Sequence, residues 1–247
     1  MNLRRSVLLA AAFVLLTVGS LSVARAQEVL RVVTDPTFPP MEFVKDGKRT
    51  GFDIELTEAL AAAMGRKIEW IDIDFKGLIP ALVSKRADLA MSAIYITDER
   101  KKVVDFSDPY FAGGLVVLTT RSGPIKSLKD LDGRRVSVQV GTKSVGFLKD
   151  NHPKIERVEV EKNQEMFNLV EIGRADAAVT GKPAAKIFAQ AKPSLHVLAE
   201  QLTTEDYGIA VRKDAPELRA ALNAALKKIK VDGTYDKLLN RWFESSK

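Results

Sequence analysis

Short apolar runs trade places along most of the chain with stretches whose apolar residues recur every three or four positions. Val29-Leu30-Arg31-Val32-Val33 reads as a strand, closed by the turn-forming pairs Asp35-Pro36 and Pro39-Pro40. Residues 51–64 place Phe52, Leu56, Ala59, Leu60 and Ala63 on one helical face. Residues 67–73 alternate as a strand, 77–85 read as a helix and 88–91 as a short buried strand. The order then repeats. Strands are expected at 136–140, 157–160, 176–180 and 195–198, with helices at 144–151, 164–172 and 183–190 between them. A strand at 207–212 precedes helical runs at 216–230 and 233–243. Strand–helix–strand alternation implies α/β architecture with mainly parallel sheets.

One internal echo stands out. Residues 86–92 read Arg-Ala-Asp-Leu-Ala-Met-Ser, and residues 174–180 read Arg-Ala-Asp-Ala-Ala-Val-Thr. Each copy follows a helix with a Leu-Val pair, Leu82-Val83 and Leu169-Val170. Chance similarity among small residues is one explanation. The other is two similar lobes, each presenting the carboxyl end of an equivalent strand, Ser92-Ala93 and Thr180-Gly181, to a shared crevice where ligands of open α/β sheets bind.

A length of 247 residues suits one large domain or two small ones. The absence of cysteine excludes disulfides, thiolate metal sites and cysteine nucleophiles. His152 and His196 are too few for a multi-histidine metal site, and no cofactor is implied. Lys and Arg outnumber Asp and Glu by 38 to 32. Part of that excess sits in the N-terminal stretch. Arg4 and Arg5 precede the apolar run Val7-Leu8-Leu9-Ala10-Ala11-Ala12-Phe13-Val14-Leu15-Leu16, and small residues lead to Ala24-Arg25-Ala26. This is the form of a secretory signal peptide, residues 1–26, cleaved after Ala26. Its apolar core is shorter than the ~20 residues a membrane span needs. Removing it takes away Arg4, Arg5 and Arg25 and no acid, so the formal charge of +6 falls to +3. With basic residues spread among acids, a nucleic-acid partner loses support. A soluble, exported chain is expected.

The run Asp88-Leu-Ala-Met-Ser-Ala-Ile-Tyr-Ile-Thr-Asp-Glu-Arg-Lys-Lys-Val-Val-Asp-Phe-Ser-Asp-Pro-Tyr110 closely resembles the signature of bacterial extracellular solute-binding proteins of family 3, the polar amino-acid receptors of ABC importers. The likeness continues in Gly51-Phe-Asp-Ile-Glu-Leu56, Asp74-Phe-Lys-Gly-Leu-Ile-Pro80, Val140-Gly-Thr-Lys-Ser144 and Asp232-Gly-Thr-Tyr235. It implies the type II periplasmic-binding-protein fold, two α/β lobes joined by two hinge strands. Lobe 1 would be residues 27–112 plus 208–247 and lobe 2 residues 113–207. The chain would cross between them near Tyr110–Gly114 and Glu205–Tyr207, where Gly113, Gly114 and Gly208 suit bends. Lobe closure on ligand would be a hinge motion.

The resemblance also implies a site. Arg100 matches the arginine that holds the ligand carboxylate, a task suited to a planar fork of donors; spacing alone favours a surface residue of a charged helix start, and the resemblance reverses that. Phe38 and Phe75 fall where the family places aromatic walls. Ser92 and Ala93 match positions whose backbone meets the ligand amine. Tyr95 stands where Ser or Thr is common, so its phenol either reaches into the cleft or shrinks it. Thr142 precedes a helix and could serve an anion or simply cap the helix. Lys143 could add a cation to the site or point to solvent, and Gln139 is a candidate discriminator of ligand side chains. Gly181 departs from the pattern. Relatives that bind α-amino acids carry Asp there, and a buried ammonium without an acid is expensive. Lys182 would make the region more positive, and Asp35 could partly substitute for the missing acid. Amino acids stay the leading class, with keto acids, hydroxy acids and dicarboxylates close behind.

The implied function is the periplasmic binding subunit of an ABC importer. It would be a monomer that takes a small carboxylate or amino acid and delivers it to an inner-membrane permease. A cyclohexadienyl dehydratase on the same fold is the alternative. It needs a general acid in the cleft, for which Glu161, Glu165 and Asp35 are weak candidates. A sensory receptor domain is disfavoured, because no transmembrane helix or signalling module follows within the sequence.

Overall fold

The computed structural model of the protein describes residues 28–244. The expected signal peptide, residues 1–26, lies outside the described residues. Two five-stranded sheets organise the chain. In the first, the order is Lys67–Asp72, Val29–Thr34, Leu89–Ala90, Ala210–Arg212, Val104–Phe106. In the second it is Glu156–Val160, Arg135–Gln139, Ala177–Gly181, Leu115–Thr120, Leu195–Gln201. The first three strands of each order run parallel, linked by helices such as Phe52–Met64 and Asn163–Glu171, because a parallel pair needs a crossover.

The fourth strand of each sheet is antiparallel to both neighbours. The mainly parallel reading is therefore incomplete, and Leu115–Thr120 was not foreseen as a strand at all. Both reversed strands have the same origin: each begins just after the chain crosses between the sheets. The crossings are Phe111–Ala112 and Asp206–Tyr207, which pair antiparallel with each other.

The sequence echo marks a repeated device. Asp88 Oδ2 accepts the backbone N–H of Arg31 at 2.9 Å, and the Arg31 side chain grips the same carboxylate. In the second sheet Asp176 Oδ2 accepts the backbone N–H of Arg135 at 2.9 Å, and the Arg135 guanidinium reaches its other oxygen. Each Asp thus ties the start of the third strand of its sheet to the second, which aligns the two strand ends, Ser92-Ala93 and Thr180-Gly181, on the cleft. The arginines hold both carboxyls below the usual carboxylate range, although partial burial works against this.

A small antiparallel sheet, Thr37–Phe38, Glu42–Lys45 and Lys48–Thr50, is not among the elements expected from the sequence. Its strands are too short to show alternation. It matters because its register sets Glu42 opposite Phe38. The C-terminal helices Pro216–Val231 and Thr234–Leu239 pack on Phe52–Met64. Beyond them, residues Asn240–Glu244 form a wider π turn that sets Phe243 against Phe52 and Phe111.

Asp88→Ala and Asp176→Ala should each lower stability by about 1–3 kcal/mol, the effect of removing the carboxylate acceptor of a strand N–H. Urea unfolding of the two variants measures this; an unchanged midpoint in both would show that the echo carries no strand-tying role.

Candidate ligand-binding site

Between the two sheets lies a cavity with about 30 Å³ of free volume, room for about one water molecule. Ten of the eleven residues singled out from the sequence line it: Asp35, Phe38, Phe75, Ser92, Ala93, Tyr95, Gln139, Thr142, Lys143 and Gly181. Arg100 stands beside the cavity instead. Its Nη1 donates to the Tyr95 carbonyl at 2.9 Å, its Nη2 donates to the Gly141 carbonyl at 3.3 Å, and its guanidinium lies over Phe75. Burial pushes its pKa down to about 10, so it stays charged near neutrality. It makes no ion pair among the described residues.

The site is shut by bonds that cross the cleft. Gln139 Nε2 donates to Asp35 Oδ2 at 2.8 Å, and Asn163 braces the Gln139 carbonyl at 2.9 Å. Nearer the rim, Lys76 pairs with Glu161 and Lys162 with Asp74. Gly141, at φ +76, packs so closely that a Cβ there would stand 2.9 Å from the Lys76 Cα. Asp35 also accepts from Thr37 and from the Phe75 N–H, with Lys162 at 3.5 Å. Burial raises its pKa, and Lys162 and these donors oppose that. A carboxylate so engaged is a poor substitute for an acid at position 181. Lys143 pairs with Glu205 and stands near the face of Tyr95. Thr142 spends its hydroxyl on the Gln139 carbonyl rather than on a helix cap. Lys182 does not line this cavity; its ammonium reaches Gln201. Of the acids considered for a dehydratase, Glu161 is held at the rim by Lys76 and Glu165 is exposed.

Tyr95 shrinks the cleft. Its hydroxyl accepts the Gly114 N–H at 3.1 Å and lies 3.3 Å from the Tyr207 hydroxyl, with ring centroids 4.6 Å apart. A Cβ at Gly181 would overlap the Tyr207 hydroxyl and sit 3.0 Å from Phe38 Cζ. An acid at 181 would therefore need Tyr207 to shift, and the two phenols occupy its neighbourhood.

Gly181 supplies no acid to the cavity, but the cavity wall holds one elsewhere. Glu42 lines the cavity and is 1% exposed. Its Oε1 accepts from the Ser92 hydroxyl at 2.8 Å, and that hydroxyl oxygen in turn accepts the Asp35 N–H. Behind it Asp53, 0% exposed, accepts the Ala93 N–H at 2.8 Å and the Tyr110 hydroxyl at 2.8 Å. Ala93 has φ +46, a left-handed conformation that costs about 1–2 kcal/mol outside glycine; Asp53 pins that turn. Glu42 and Asp53 lie close enough to influence one another's charge, and neither has a cationic partner among the described residues. Burial raises both pKa values, Glu42 well above the usual range and Asp53 to about 6. Sequence reasoning missed Glu42, Asn163 and Tyr207. A lone acid in Pro39-Pro40-Met41-Glu42 gives no sign of being buried.

The model of bacterial extracellular solute-binding proteins, family 3, matches residues 30–245. The chain belongs to this family. It is 33% identical over 227 residues to the putative ABC transporter arginine-binding protein 2 of Escherichia coli K12, covering 90% of this chain and 93% of the relative. Among solved structures, an ancestral arginine-binding protein bound to arginine superposes with a TM-score of 0.84 at 41% identity, covering 88% of this chain and 99% of that one. An ancestral amino-acid-binding protein, a precursor of cyclohexadienyl dehydratase, gives 0.81 at 44% identity, covering 87% and 95%. These neighbours confirm the two-lobed type II fold. Among the described residues no helix is long and apolar enough to cross a membrane, and no three metal-ligating side chains converge. The family acts outside the cytoplasm.

The raised pKa of Asp53 has a consequence for stability. Its share of stability is complete below the unfolded-state pKa of about 4 and is lost as pH rises through about 6. Asn mimics the protonated acid. Asp53→Asn should therefore gain stability relative to wild type as pH rises from about 5 to about 8, as thermal unfolding will show. A constant difference across that range would place the Asp53 pKa at its ordinary value.

Proposed function

We propose that the protein is the binding subunit of an ABC importer, holding an α-amino acid between lobes made of residues 27–112 plus 208–247 and residues 113–207. The observation that carries this is the polarity of the cavity. Its rim is basic, with Arg100 and Lys143; its floor is acidic, with Glu42 beside Ser92. That order fits a zwitterion with its carboxylate toward Arg100 and its ammonium toward Ser92 and Glu42. Between them Phe38 and Phe75 flank the ligand side chain, whose polar end meets Gln139 and Asn163. A space for one water cannot take an amino acid, so the lobes part about the strand pair Phe111–Ala112 and Asp206–Tyr207 before the ligand enters. The named relatives that bind arginine support the ligand class, and their transporter role supports delivery to an inner-membrane permease by a monomer in the periplasm. The expected signal peptide supplies the route.

Arg100→Ala tests the carboxylate anchor. Removing one side of a buried charge pair costs about 2–5 kcal/mol, so the affinity for the best-bound amino acid should fall roughly 30-fold to several thousandfold. Calorimetry on the folded variant measures it. Wild-type affinity in Arg100→Ala would refute the assignment.

A further inference from the structure

Two carboxyl groups are packed together at the floor of the cavity with no cation to balance them. Glu42 and Asp53 come from separate elements, the strand Glu42–Lys45 and the helix Phe52–Met64, and both are sealed from solvent. One oxygen of each is well used: Glu42 Oε1 accepts from Ser92, and Asp53 Oδ2 accepts from Ala93 and Tyr110. The other two, Glu42 Oε2 and Asp53 Oδ1, have no hydrogen-bond partner among the described residues. Two neighbouring carboxyl groups in a dry interior resist both being charged, and a single proton held by the pair relieves that repulsion.

The surroundings leave few other arrangements. The groups that bear on Glu42 are Asp53, Asp35 and the Ser92 hydroxyl, with the phenols of Tyr110 and Tyr207 adjoining the pair. The two charges among them are both negative. Asp35 keeps its own charge balanced elsewhere, through Lys162, the Phe75 N–H, Thr37 and Gln139. Glu42 alone of the pair borders the cavity.

We propose that Glu42 and Asp53 share one proton when no ligand is bound, and that an ammonium group docking beside Glu42 expels that proton to solvent. The step balances: a carboxylic acid and an alkylammonium become a carboxylate–ammonium pair, and one proton goes to buffer. The inference rests on the amino-acid reading above. It adds that recognition of the amine is coupled to pH, and that Glu42 takes the charge-balancing part for which Gly181 has no side chain. The energetic sense follows from burial. A dry carboxyl with only acidic neighbours holds its proton, and a cation placed against it reverses that preference. By linkage, a ligand that releases a proton binds more tightly as pH rises.

The test is titration calorimetry of the full-length mature protein with L-arginine, L-lysine and L-glutamine, in buffers of different ionisation enthalpy at neutral pH. For whichever of these binds, the dependence of the heat on buffer should correspond to release of about half a proton or more per molecule bound. Between about pH 6 and pH 8, where these ligands do not titrate appreciably, affinity should rise about threefold to tenfold per pH unit. Glu42→Gln should abolish the release. Asp53→Asn should reduce it, and it stands in if Glu42→Gln does not fold. Tight binding with less proton release, or release unchanged in these variants, overturns the proposal while leaving the amino-acid reading intact. Failure of all three amino acids to bind overturns that reading, and the proposal with it.

Discussion

Burying three carboxyl groups with a single cation, Lys162, within reach of one of them is the constraint around which this site is arranged. Asp35, Glu42 and Asp53 are each no more than 1% exposed, and they lie within one small region. Unpaired, each would be strongly unfavourable in a dry interior. The fold answers with donors taken from the elements that need placing. Asp53 captures the N–H of Ala93 and so fixes a left-handed turn at the end of a strand. Glu42 captures Ser92, and Asp35 reaches across the cleft to Gln139. The acids thus position backbone that lines the cavity, and it is their residual imbalance that the proposal above assigns to a cationic ligand group.

The same reasoning ranks the contacts that hold the lobes together. Lys76–Glu161 and Lys162–Asp74 are half exposed, and pairs of that kind contribute about 0–1 kcal/mol. The bond from Gln139 to Asp35 is buried and shielded from water, and the close seat of Gly141 on Lys76 is sterically exacting. They set how far the cleft can close. Tyr95 connects this closure to both ends of the site: its carbonyl accepts from Arg100, and its hydroxyl accepts from the hinge-side N–H of Gly114. A ligand that engages Arg100 therefore acts on a residue already bonded to the crossing strands.

Local pattern made much of this legible. The parallel strands, their crossover helices and the repeated Arg-Ala-Asp motif follow from runs of adjacent residues, and the echo has a common physical cause in Asp88 and Asp176. The run around Arg100 carried the family, and with it the residues that border the cavity. What stayed hidden depends on partners distant in sequence. The reversal of Leu115–Thr120 and Ala210–Arg212 is set by where the chain crosses between sheets. The burial of Glu42 is set by its register against Phe38 and by Ser92, fifty residues on. Reading Gly181 by itself points to a cavity without an acid, because Glu42, which lines the same cavity, lies far from it in sequence.

The central claim is that Glu42, with Asp53 behind it, lets the cavity recognise an ammonium group despite the glycine at position 181. Matched ligands differing only in that group test it most directly: whichever of L-arginine, L-lysine and L-glutamine binds best, titrated beside its deaminated 2-oxo analogue. The account predicts that the amino acid binds more tightly by a factor on the order of 100 or more, as expected when one side of a buried charge pair is missing. A 2-oxo analogue that binds as tightly as the amino acid, or more tightly, would contradict it.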